Sequence, residues 1–345
     1  MAAHPPGPLT GLRIIEMAGI GPCPLAGMLL ADLGATVTVI ARPGLPALDT
    51  GTALDRGKTR VTLDLKSSAG QAEAGRLIAA ADALIEGFRP GVMERLGLGP
   101  EAFQDSHPRL VYGRVTGWGQ TGPLAQAAGH DINYVALTGV LSVASRAGVA
   151  PSIPATLIGD MGGGAMFLAF GLMAALWEAQ RSGRGQVVDA AMVDGVGLLS
   201  SLLHGLRAAG RWSELASHNV FLHQSPFYDC FECADGRFIS LGALEPPFYA
   251  ELLQRLGLVD VDPAHQHQHA AWPALRERVA ARIREQTQAQ WCAQLEGSSV
   301  CFAPVLQLHE APLHPHALAR GSFVQVDGHW QPAPAPRFSR GGGGA

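Results

Sequence analysis

The stretch Leu12-Arg13-Ile14-Ile15-Glu16-Met17, followed by the turn Ala18 to Pro24, the run Leu25 to Leu33, Gly34 and then Thr36 to Ile40, decides the fold of this chain. The first six residues read as a short apolar strand. Leu25 to Leu33 reads as a helix stopped by Gly34, a residue favoured just past a helix end. Thr36 to Ile40 is rich in β-branched residues and reads as the next strand. Further strands at Arg60 to Leu63, Ala83 to Glu86 and Leu110 to Val115, with a helix at Gly70 to Ala80, continue the alternation. Such alternation implies a parallel sheet with helices on its faces.

The middle of the chain is helical. Ile132, Val135, Ala136, Gly139 and Val140 fall at helical spacing and predict one buried stripe of a helix beginning near Asp131. Gly162 to Arg181 reads as a longer helix, Gln186 to Met192 as a strand and Val196 to Ala209 as another helix. Arg211 to His223 is more polar, a natural crossing between domains. Beyond it, Phe227 to Cys233 and Arg237 to Leu244 form a hairpin across Ala234-Asp235-Gly236, where Asp-Gly is a strong turn signal. Helices follow near Pro247 to Leu256 and Trp272 to Thr287, and Arg340 to Ala345 reads as a flexible end. The expected fold class is α/β. A Rossmann-like large domain with a parallel sheet spans 1–200 and is completed by 318–345; 201–224 is a linker and 225–317 a smaller α+β domain.

Composition narrows the function. A chain of 345 residues is too long for one ordinary core. With 47% hydrophobic and 16% charged residues it should pack well, and its net charge of −4 gives no reason to expect nucleic acid as a partner. Its five cysteines resemble no disulfide framework, so the cytoplasm is the expected compartment. Cys230 and Cys233 lie three apart on a predicted strand and face opposite ways, which argues against a redox or zinc pair. No metal site is expected, and His265-Gln266-His267-Gln268-His269 reads as a solvated loop. The first apolar run is interrupted by Arg13 and Glu16, so no signal peptide is expected. No membrane span is expected either: Met161 to Trp177 is uncharged, but as a helix it reaches only ~25 Å, short of a bilayer core.

Several polar residues stand out against this background. The first turn carries Gly19 and Gly21 but has Pro24 where a dinucleotide fingerprint needs its third glycine. The second strand also ends in Ala41-Arg42 rather than in an acid, so no NAD site is expected. Arg42, Lys66, Arg89 and Arg95 lie near predicted carboxyl ends of strands or in the loops after them, where open α/β sheets bind ligands. Four such cations suit a polyanion such as coenzyme A, although each alone also reads as a surface residue. His130 and Asp160 offer an imidazole and a separate carboxylate, each beside glycines. Two weak bases on opposite sides of one carbon can invert it by removing a proton from one face and returning one to the other. Asp131 reads as a helix N-cap before it reads as a chemical group, and Asp160 is likewise a natural N-cap for the helix that follows it. The three glycines 162–164 are a poor helix start, costing roughly 1 kcal/mol each, which points to a ligand near their N–H groups. Glu245, before Pro246-Pro247, reads alone as a surface turn acid.

Taken together, the chain resembles the family III CoA transferases and, within them, the α-methylacyl-CoA racemases. The motifs are Leu9-Thr10-Gly11-Leu12-Arg13-Ile14-Ile15-Glu16, Ala31-Asp32-Leu33-Gly34-Ala35, Thr116 to Pro123, Ala128 to Tyr134 and Gly185 to Gly195. Gly129 to Tyr134 together with Gly242-Ala243-Leu244-Glu245-Pro246 favours the racemase branch. The resemblance implies that His130 and Asp160 are the proton-transfer pair, that Glu245 orients or tunes His130, and that Asp131 belongs to the catalytic set. It implies that Arg42, Leu63, Asp64, Leu65, Lys66, Gly87, Phe88, Arg89, Arg95, Gly129, Ile132, Asn133 and Tyr134 bind CoA, which arrives as part of an acyl-CoA thioester, so no cofactor is required. It also implies an interlocked homodimer with the site shared between subunits. The alternative within the family is a CoA transferase using Asp160 as nucleophile. A non-catalytic acyl-CoA-binding protein is a third reading. Two departures are visible: His223-Gln224-Ser225 replaces the usual Gly-Gly-Ala, and the chain lacks the family's last helical tail.

Overall fold

The structure is a computed structural model describing residues 7–44, 53–144, 146, 148–213 and 215–340; the glycine tail beyond Arg340 lies outside them. The elements run β1 (Arg13–Met17), α1 (Pro22–Asp32), β2 (Thr36–Ala41), β3 (Lys58–Thr62), α2 (Ser68–Ala79), β4 (Ala83–Glu86), α3 (Val92–Arg95), β5 (Val111–Thr116), α4 (Asp131–Leu137) and α5 (Val140–Val143). A π-helical segment, Leu157–Met166, leads into α6 (Phe167–Ser182), then β6 (Val187–Ala191), α7 (Met192–Leu199) and α8 (Ser201–Ala208). β7 (Tyr228–Glu232), β8 (Phe238–Gly242), α9 (Pro246–Arg255), α10 (Trp272–Ile283), α11 (Gln288–Leu295) and β9 (Phe302–Pro304) follow. The last elements are α12 (Pro315–Arg320), β10 (Phe323–Val326) and β11 (His329–Pro332). The chain divides into two compact units, one of Met1–Ser142, Ile153–Ser201 and Pro315–Ala345, the other of Val143–Ser152 and Leu202–His314.

The first unit is built on a six-stranded sheet in the order β3-β2-β1-β4-β5-β6, parallel throughout. Side chains alternate across each strand, so neighbouring residues feed different cores. Ile14, Val37, Ala83, Ile85, Val111 and Val115 meet α1 and α6 on one face; Ile15, Ile40, Leu84 and Tyr112 meet α2 and α3 on the other. By length and composition the stretch Leu157–Ser182 could cross a membrane. Its stripe Leu168, Leu172, Ala175, Leu176 and Ala179 instead belongs to the core against the sheet, while Phe170 and Trp177 on the other side are exposed. The strand order reverses between β1 and β4, and a crevice opens beyond their carboxyl ends.

Three local expectations are corrected. The buried side of α4 is Asp131, Tyr134 and Val135, while Ile132 is 49% exposed and Gly139, at φ 82°, lies beyond the helix end. The helix read as one piece over 196–209 is broken at Ser200 into α7 and α8. The helix expected to start at Gly162 begins five residues earlier as a π-helix, whose Met161 N–H donates to the Thr156 carbonyl at 3.1 Å. Its glycines serve packing. A Cβ on Gly163 would lie 2.7 Å from Val196, one on Gly164 2.9 Å from Pro22, and one on Gly195 of α7 2.0 Å from the Gly163 carbonyl. The backbones of the π-helix and α7 touch where no side chain fits.

The second unit carries an antiparallel sheet, β7-β8-β9, covered by α9, α10 and α11 around Phe227, Trp272 and Trp291. Its hairpin turns at Asp235-Gly236 with Gly236 at φ 72°, as the sequence predicts. Cys230 is exposed and Cys233 buried, on opposite faces of the hairpin. The departure at His223 has a partner: its Nδ1 lies 3.2 Å from the buried carboxylate of Asp229, which also binds Arg146 and Arg276.

Gly195→Ala should destabilise the protein by ~1–3 kcal/mol through overpacking. Gly197→Ala, with open space at its Cβ in the same helix, should stabilise it by about 0.5–1 kcal/mol. Urea midpoints of the two variants check this; equal midpoints would contradict the backbone crossing.

Candidate active site

Two cavities open beyond the strand ends of the first unit. One, of about 780 Å³, is lined by Met17, Ile40, Arg42, Asp64, Leu65 and Lys66 among others. The second, of about 530 Å³, is lined by Arg89, Thr116 to Trp118, Ala125, Gly129, His130, Asn133, Tyr134, Asp160 and Met192 among others. Ile20, Gly87 and Phe88 belong to both walls. One cavity is therefore edged by cations and apolar strand ends, and the other holds an imidazole and a carboxyl. A long ligand lying over Gly87–Phe88 would have one end in each.

His130 precedes α4, and its N–H donates to the Asn133 side chain at 3.0 Å. Tyr134, on the same helix, donates its hydroxyl to the Gly129 carbonyl and packs edge-on against Trp118 at 4.8 Å. A Cβ at Gly117 would fall 2.0 Å from the Tyr134 ring, so glycine there is what admits the ring. Asp160 stands in the first turn of the π-helix. Burial first, and the neighbouring Asp131 carboxylate second, push its carboxyl from 3.8 up to about 6, against a smaller opposing effect of His130.

Asp131 is the hidden member. It does not cap α4, whose N-cap is His130. Its Oδ1 instead accepts the N–H groups of Gly159 at 2.7 Å and Asp160 at 2.8 Å. A Cβ on Gly159 would lie 2.7 Å from that oxygen, which explains the glycine before Asp160. Asp160 is likewise no N-cap, because the π-helix starts at Leu157. The expectation that glycines 162–164 present free N–H groups to a ligand is also corrected. Those glycines face α7 and α1, and the i→i+5 pattern engages their backbone within the helix.

The structure brings Arg42, Asp64, Leu65, Lys66, Gly87 and Phe88 to the first cavity. It brings Gly87, Phe88, Arg89, Gly129, His130, Asn133, Tyr134 and Asp160 to the second. Leu63 packs into the core under α2, Arg95 lines neither cavity, and Ile132 points to solvent. Glu245 opens α9 in the second unit, as its N-cap. Further wall residues, with no role assigned by the sequence, are Ile20, Pro22, Thr116 to Trp118, Ala125, Ala127 and Ala128. The motif Thr116 to Pro123 is the sequence signal for one of these groups, whose place in the wall only the fold shows.

The sequence profile of CoA-transferase family III matches residues 9–341. The α-methylacyl-CoA racemase of Mus musculus is 44% identical to this chain, over 95% of it and 85% of that protein. The Homo sapiens protein of the same name is 41% identical, over 95% and 86%. Among solved structures, a hypothetical protein from Mycobacterium tuberculosis matches with a TM-score of 0.81 at 27% identity, over 97% of this chain and 94% of that one.

The raised pKa of Asp160 has a stability consequence. A carboxyl with a folded pKa above its unfolded one stabilises the fold below the unfolded pKa and loses that contribution as pH rises through about 6. Asp160→Asn should therefore gain stability relative to wild type between pH 4 and pH 8, on the order of 1 kcal/mol after screening. Urea midpoints at the two pH values check it, and a gap that does not change with pH would contradict the burial argument.

Proposed function

The chain belongs to CoA-transferase family III, and we propose that this protein is a cofactor-independent racemase interconverting (2R)- and (2S)-2-methylacyl-CoA thioesters. The observation that carries the reading is that His130 and a carboxyl poised near pH 6, Asp160, line one cavity. The names of the mouse and human relatives agree with it. Arg42 and Lys66 would meet the phosphates of CoA, and the pantetheine arm would cross Gly87 and Phe88 to place the thioester between the acid and the base.

The reaction is a 1,1-proton transfer through an enolate. His130 takes the α-proton of one enantiomer while protonated Asp160 delivers a proton to the opposite face, and the roles reverse for the other. The two starting forms, neutral imidazole with neutral carboxyl and imidazolium with carboxylate, carry the same number of protons. A racemase needs them near in energy, since it runs both ways. An Asp160 pKa of about 6 lies in the range where histidines titrate, and it leaves roughly a tenth of the carboxyl protonated at pH 7. With the glycine N–H groups engaged in the π-helix, the enolate oxygen falls to backbone donors at the head of α4. Asp131 holds Asp160 in place.

Glu245 would orient or tune His130, in keeping with the family resemblance. The exposed Phe170 and Trp177 of α6 fit a homodimer, and the family resemblance implies a site shared between its subunits. The cytoplasm suits the free thiols.

His130→Ala should lower racemisation by ~10²–10⁴-fold. Undiminished racemisation by that variant would overturn the assignment. If Asp160 were instead the nucleophile of a CoA transferase, the variant would still move CoA to an added carboxylic acid with ping-pong kinetics. The kcat/KM profile should be bell-shaped, because one shared proton is required, and should fall on both sides of its maximum. A rate rising steadily with pH would mean that a single base suffices.

A further inference from the structure

Glu86 closes β4 at its carboxyl end and is fully buried, an ionisable residue where a central parallel strand normally carries an apolar one. Both of its oxygens are engaged. Oε1 accepts Arg114 Nε at 2.8 Å, from the directly paired position on β5. Oε2 accepts the Phe88 N–H at 2.7 Å. Arg114 in turn holds Glu94 of α3 through Nη1 at 2.8 Å and Nη2 at 3.2 Å. The network ties two sheet strands to the segment 87–96. That segment is the partition between the cavities: Gly87 and Phe88 wall both, Arg89 and Pro90 wall the side of His130 and Asp160, and Val92 and Leu96 wall the side of Arg42 and Lys66.

We propose that Glu86 is a positioning residue for the thioester, its carboxylate clamping the Phe88 amide and so fixing the turn over which the substrate must pass. The inference rests on the racemase reading for its kinetic consequence and on the geometry alone for the clamp. Burying a charge is costly unless it is paired and hydrogen-bonded. Packing alone would be served as well by an apolar pair, whereas a carboxylate can hold a backbone N–H and a guanidinium together. Displacing the turn would shift the α-carbon from between His130 and Asp160. A group left beside only one of them exchanges its proton without inverting, because the same residue removes and returns it.

The test compares two double variants, E86Q/R114M and E86L/R114M. Each removes the buried ion pair and releases only the solvent-exposed Glu94 carboxylate, equally in both, and they differ in whether an oxygen remains for the Phe88 amide. E86L/R114M should lose up to ~10²-fold in kcat and show exchange with retention of configuration in D₂O, while E86Q/R114M should keep the wild-type ratio of inversion to exchange. Equal losses in both, or none in either, would overturn the proposal. Independently of variant folding or activity, the Phe88 amide of the wild-type protein should exchange with deuterium far more slowly than that of exposed Arg89; equal rates would overturn the clamp. A wild-type enzyme that exchanges no α-proton would sink the functional reading and leave this amide comparison to decide the clamp.

Discussion

One carboxylate oxygen holds the site together. Asp131 Oδ1 takes two backbone N–H groups, of Gly159 and Asp160, from a segment 28 and 29 residues further along the chain. These are hydrogen bonds to a charged acceptor, the stronger kind. They join the helix that follows His130 to the π-helical turn that carries Asp160, so these two residues are placed by one contact rather than by two loops. Burial is the first cause of the raised Asp160 pKa, and the same charge is the second. One residue therefore fixes the position of the carboxyl and reinforces its protonation.

The glycines extend that constraint. Gly159 lets Asp131 approach, Gly163 and Gly195 let the π-helix and α7 touch, and Gly117 makes room for Tyr134. A π-helix is rare and usually found at functional sites. Here its wide turn carries Asp160 at the cavity wall while the following glycines are pressed into the helices behind it. The cost of several glycines in one helix start is offset by close backbone packing that no larger residue would permit.

The sheet was legible because its strands and helices alternate in hydrophobic period, and that signal is local. Strand ends then place Arg42, Lys66 and Arg89 without further information. What the sequence hid was contact at a distance. Asp131 reads locally as a cap because an acid at a helix start usually is one, and nothing nearby shows that its partners are Gly159 and Asp160. The glycines 162–164 read as an opening for a ligand because helix propensity cannot see α7 packing against them. Ile132 was placed inside by its spacing, but the helix is short and turns that side outward. Glu86 and Arg114 passed unnoticed for a related reason: each belongs to an apolar strand, and only the sheet register pairs them.

The central claim is that His130 and Asp160 work on opposite faces of one carbon. Its most direct test is incubation of the protein in D₂O with a single enantiomer of a 2-methylacyl-CoA and no other acid. The account predicts deuterium at the α-carbon together with the opposite enantiomer, approaching an equal mixture. Unchanged configuration without deuterium, with CoA passing to a carboxylic acid once one is supplied, would contradict it and make Asp160 a nucleophile.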